Sequence, residues 1–161
     1  MRIGLVTLLC TLLLTTSAGM GARADDKEDV EKEIKKFQGV WTFESVVTGG
    51  KEEPAGDLKG FILIFERDKH TVKKGDDVIQ VGTQKIDPSK SPKTIDVTMT
   101  EGPSKGAVML GIYEIDGDTL KVCFDPQGKM RPKEFKSAPG SDTFLVVHKR
   151  LKKGVPSPMG A

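Results

Sequence analysis

Two hydrophobic periods follow one another along the chain. From Asp25 to Gln38 it reads DDKEDVEKEIKKFQ, with Val30, Ile34 and Phe37 at i, i+4 and i+7 among charged residues. That spacing predicts a helix over 25–38 with one narrow apolar stripe. Asp25 and Glu28 have capping-box spacing, Lys35 and Lys36 close the segment as the helix dipole favours, and Gly39 ends it. Three apolar residues bury little, so the helix is expected to lie on a larger body as a lid or plug.

From Val40 the period becomes two. Trp41, Phe43, Ser45 and Val47 fall on one face, with Thr42, Glu44 and Thr48 on the other, until Gly49-Gly50 breaks the run. Further strands are predicted at FILIF (61–65), HTVKK (70–74), VIQVGTQKI (78–86), KTIDVTMT (93–100), AVMLGIYEI (107–115), TLKVCF (119–124) and TFLVVHKR (143–150). Asp116-Gly117-Asp118 is a hairpin signal, and a short KEF (133–135) lies between two Gly/Pro-rich stretches. No second helical pattern and no long crossover interrupt the series. The expected fold is all-β, an antiparallel up-and-down barrel of about eight strands, because closure removes the exposed edges. No internal repeat and no linker divides it, so residues 39–151 are expected to form one barrel with the helix belonging to it, followed by a flexible tail over 152–161.

The first 24 residues are of another kind. Arg2 precedes an apolar run from Ile3 to Leu14, and Ala22-Arg23-Ala24 has the A-x-A form of a signal-peptidase site. The run is shorter than the roughly 20 residues that span a bilayer, which predicts a cleaved export signal over 1–24 and no transmembrane anchor in the mature chain. Leu9 before Cys10 does not suit lipoprotein processing. Cleavage after Ala24 leaves 137 residues with 23 basic and 23 acidic side chains. A formally neutral chain lacks the cationic footprint of a nucleic-acid binder. The expected location is periplasmic or secreted.

Few groups suggest catalysis. His70 and His148 stand on different predicted strands with no further ligand at zinc spacing. Cys123 is the only cysteine after the leader, and its parity, opposite Val122 and Phe124, places it on the outer wall, shielded. Asp116 and Asp118 serve the turn, since the remaining oxygens of a calcium loop are missing. The parity of Tyr113, shared with Met109 and Ile115, does not decide which side faces inward. No catalytic residue, metal or cofactor is expected.

The segment behind the helix, Gly39-Val40-Trp41, resembles the G-x-W start of lipocalins. The resemblance implies that Trp41 closes one end of the barrel and that a basic residue at the end of the last strand, Arg150 or else Lys149, packs over its ring. More closely, FQGVW, LKGFILIF, KIDPSKSPKTIDVT, EGPSKG, GIYEIDGDTLKVCF and RPKEFKS resemble a family of small exported lipocalin-like proteins expanded in planctomycete bacteria. That family has no established activity, so the resemblance implies a fold and no reaction.

Within such a barrel, alternation assigns Phe43, Phe61, Leu63, Phe65, Ile95, Val97, Met99, Leu120, Val122, Phe124, Leu145 and Val147 to the interior along with Trp41. Two readings follow. The lumen holds a small apolar ligand or the barrel lies against an envelope component, or else its own side chains fill it and it serves as a structural or protein-interaction domain.

Overall fold

The computed structural model describes residues 24–152. The expected leader, apart from Ala24, and the expected tail, apart from Lys152, lie outside the described residues. One helix, α1 (Ala24–Phe37), precedes nine strands: β1 (Gly39–Thr48), β2 (Lys51–Glu52), β3 (Phe61–Glu66), β4 (Lys69–Lys74), β5 (Asp77–Asp87), β6 (Lys93–Met99), β7 (Val108–Asp116), β8 (Thr119–Asp125) and β9 (Phe144–Arg150). Asp25 lies inside the first turn of α1, so the helix begins before the expected cap. The KEF stretch is not a strand.

All pairings are antiparallel, and neighbours in sequence are neighbours in space from β3 to β9. Residues 39–42 of β1 pair with β3, while nearly the whole of β1 pairs with β9, so β1 closes an eight-stranded barrel. β2 adds a two-residue hairpin to the far end of β1 across Gly49-Gly50. Closure leaves none of the eight strands as a free edge.

Two faces differ from simple alternation. A bulge between Phe43 and Ser45 shifts β1 against β9. An extra residue reverses the faces beyond it, so Val46, not Ser45 or Val47, packs on the core. A second bulge, between Val72 and Lys73, shifts β4 against β5 around Ile79.

The helix closes one end. Phe37 is buried against Phe65 and Tyr113, with ring centroids 5.2 and 5.0 Å away. This places Tyr113 inside the barrel. Val30 and Ile34 pack more loosely on the same core. Glu33 is buried beside them and pairs with Lys93 (2.5 Å) and Lys36 (2.7 Å), with the Tyr113 hydroxyl at 3.4 Å. Burial works to raise the Glu33 carboxyl, but the two lysines outweigh it and hold the group below its usual range. The side chain of Gln38 ties the helix end to the β3–β4 turn: Arg67 N donates to its Oε1 (2.6 Å) and its Nε2 donates to Arg67 O (3.0 Å).

Outside the sheet, residues 126–143 form a long loop over β6, β7 and β8. Asp125 anchors its start by accepting the backbone N–H groups of Gln127, Lys129 and Met130. Arg131 donates to Ile95 O and Gly111 O and pairs with Asp96 at 2.5 Å. Cys123, facing outward from β8, is fully buried, with Sγ 3.5 Å from Lys136 O.

Candidate functional site

Trp41 forms the barrel floor. It is fully buried, and its indole Nε1 donates to Phe37 O at 2.7 Å. The Arg150 guanidinium lies over the ring, 4.1 Å from the centroid. Arg150 also donates to Gln38 O (2.6 Å) and Lys36 O (2.7 Å) and pairs with Asp118 (3.2 Å). One side chain thus satisfies carbonyls left open at the end of α1 and covers the indole. Gly39 has φ +114, and a Cβ there would stand 3.6 Å from Arg150 Nη1. The missing side chain serves the backbone, since a positive φ is open to glycine and strained for other residues. Lys149 points away and bonds Thr119 Oγ1.

Above this floor the barrel encloses a cavity of about 270 Å³. β1 supplies Phe43; β3 supplies Phe61, Leu63 and Phe65; β6 supplies Ile95 and Val97; and β8 supplies Leu120, Val122 and Phe124. Ile79 also lines the cavity and is 55% exposed, so it marks where the cavity reaches the surface. That is the end of the barrel opposite α1, where β3, β5 and β9 begin.

Three expected lumen residues are placed elsewhere. Met99 is buried in the core but does not line the cavity. Leu145 and Val147 face outward, and β9 presents Phe144, Val146 and His148 to the lumen. The register explains this: Phe144, Val146 and His148 stand opposite Phe124, Val122 and Leu120, while Leu145 stands opposite outward-facing Cys123. The cavity also takes Val72, Met109 and Gln80, which the sequence reading did not assign to it.

The polar groups of the cavity are His70, Gln80 and His148. Among the described residues no group of three or more His, Cys, Asp or Glu side chains could hold a metal ion. His70 stands opposite Gly82 in the β4–β5 ladder, and a Cβ at Gly82 would meet its Cε1 at 2.5 Å. Glycine there makes room for the ring. His70 Nδ1 is 3.3 Å from Gln84 Oε1, and Gln80 Nε2 is 3.0 Å from His70 Nε2. A carboxamide oxygen only accepts, so Nδ1 carries the proton and Nε2 accepts from Gln80. Gln84 Nε2 in turn donates to Arg67 O at 3.2 Å, which completes a chain from the cavity to the turn below it. Burial lowers the pKa of His70, against the opposing bond to Gln84.

His148 is held differently. Its ring packs edge-on to Phe43 with centroids 4.5 Å apart, it is 2% exposed, and its Nδ1 has no hydrogen-bond partner. Burial pushes its pKa down to about 3, against a raising contribution from the Thr42 backbone, so the ring is neutral at ordinary pH. Comparisons with protein-family models, with curated proteins and with solved structures return no match.

Proposed function

We propose that the chain is an exported lipocalin-like domain that binds one small, mainly apolar molecule in the barrel lumen. The observation that carries this reading is the cavity itself: 14 of its 17 lining residues are apolar, and it opens at the end opposite the helix. Concave apolar sites with a few fixed polar groups are the usual form of a small-molecule site. An interior filled by its own side chains would leave no such space. The export part of the reading rests on the 1–24 pattern, and the family part on the G-x-W start and the GIYEIDGDTLKVCF stretch.

Native mass spectrometry of the purified protein, before and after soaking in an extract of cell-envelope lipids, tests the binding. A stoichiometric added mass is expected, and its absence at every soak concentration would overturn the reading. The intact mass of protein made in a secreting host tests export, with loss of residues 1–24 as the expected result.

A second reading, a protein-interaction barrel, draws support from the same end of the molecule. Val78, Ile79, Val108 and Met130 are the exposed large hydrophobics among the described residues, and the first three lie at the strand ends around the opening. A partner covering that rim would bury them. A complex recovered with an empty cavity would favour this alternative.

A further inference from the structure

The polar groups of the cavity restrict what it can hold; this step rests on the binding reading above. His148 has an unsatisfied ring nitrogen in the wall between β1 and β9. A buried polar atom without a partner is costly to keep, and a ligand group that bonds it removes that cost. No Lys or Arg lines the cavity. Lys74, at the end of β4 beside Phe61, is exposed, with its ammonium 4.7 Å from the Phe61 ring centroid. An ionised headgroup inside would therefore be desolvated without a counter-charge.

We propose that the ligand is an uncharged molecule with an apolar body and a single hydroxyl group, seated with the hydroxyl inward against His148. A hydroxyl both donates and accepts, so it serves the His148 nitrogen in either tautomer. Scaling from a 150 Å³ cavity that takes benzene, this one suits a body of roughly ten or eleven non-hydrogen atoms. Fatty acids in their ionised form are the class this site disfavours.

Three probes of nearly equal shape test it: para-butylphenol, butylbenzene and para-butylbenzoate, titrated calorimetrically into the wild-type protein at pH 7.5. The phenol is expected to bind at least fivefold more tightly than the hydrocarbon and tenfold more tightly than the benzoate. In His148→Phe the phenol should lose its advantage while butylbenzene still binds. Equal affinities for all three, or an undiminished phenol preference in His148→Phe, would overturn the hydroxyl assignment and leave the cavity reading in place. Benzoate binding as tightly as the phenol, and weakened in Lys74→Met, would show the opposite orientation with the head at the opening. Failure of all three probes to bind the folded wild type would instead count against the binding reading. If His148→Phe does not fold, the wild-type imidazole nitrogen resonances decide. They should shift on adding the phenol and not on adding butylbenzene, and no shift with bound phenol would refute the contact.

Discussion

Trp41 and Arg150 face each other in register across the β1–β9 ladder, and the guanidinium lies 4.1 Å from the centre of the indole. The pair joins the first and last strands of the barrel at the point where the helix ends. Arg150 reaches the helix carbonyls of Lys36 and Gln38 from the same position, so it acts on closure and on helix docking together.

Replacing Arg150 should therefore weaken the whole fold. Arg150→Ala removes a cation–π contact of about 0.5–2 kcal/mol and charged hydrogen bonds to two carbonyls, each of order 1.5–3 kcal/mol when fully buried and less here, where the guanidinium side chain is 25% exposed. A net loss of about 2–4 kcal/mol is expected in urea unfolding followed by Trp41 fluorescence. Arg150→Lys keeps the charge but loses the planar fork, and about half that loss is expected. Because Arg150 is not among the residues that line the cavity, ligand affinity in Arg150→Lys should stay within about twofold. A stability change below about 0.5 kcal/mol in Arg150→Ala would contradict the role given to this residue.

The two buried histidines make stability depend on pH. The His148 pKa falls from about 6.5 in the unfolded chain to about 3 in the fold, and the His70 pKa moves in the same direction. Between those values the unfolded state binds protons that the native state excludes, so stability falls as pH falls from 6.5 toward 3. Each such group contributes a slope of up to about 1.4 kcal/mol per pH unit. Urea midpoints measured from pH 7 to pH 5 isolate this effect, because the lowered carboxyls of Glu33 and Asp125 act further down, below their unfolded values near 4. His148→Phe should flatten the dependence by about half, and an unchanged slope would show that His148 is not the group responsible.

Cys123 should be inert in the native protein. Burial raises its thiol pKa, against the bond to Lys136 O, and the 126–143 loop covers it. Thiol reagents act on an exposed thiolate. Ellman's reagent is expected to give no reaction over minutes with folded protein and one thiol in denaturant, counted on protein lacking residues 1–24. Truncating the loop contact with Arg131→Ala frees the loop from Ile95, Gly111 and Asp96. Labelling should then speed up well beyond the global unfolding rate, since a local opening would expose the thiol.

The barrel was legible because most strands alternate cleanly, as Ile95, Val97 and Met99 do in β6 and Leu120, Val122 and Phe124 in β8. The interior was less so where alternation stops. TFLVVHKR has four consecutive apolar residues, so periodicity alone could not say which of Leu145 and Val146 faces inward; pairing with β8 decides it. Bulges carry no local hydrophobic signal, so the reversal after Phe43 that turns Val46 inward was hidden, as was the shift around Ile79. The polar groups of the cavity were missed for a related reason. In KHTVKK only Val72 is apolar, and nothing in that stretch marks His70 as buried. Gly82, opposite it, was the one local hint, since a glycine inside a strand often marks a close approach.

Filling the cavity separates its two roles, as a packing defect and as a binding site. Val146 is buried on β9, opposite Val122, and lines the lumen. Val146→Phe places a larger apolar ring into the empty space. In a fully packed core such a change costs about 1–3 kcal/mol through overpacking. Where space already exists the added contacts offset that cost, so the variant is expected to match wild-type stability or exceed it by up to about 1 kcal/mol. The same ring occupies the ligand's volume, so affinity for para-butylphenol should fall more than tenfold. Retained binding would move the site away from the lumen, toward the exposed rim around Ile79. A loss of several kcal/mol would show that the interior is already filled, and the cavity would then be no site at all.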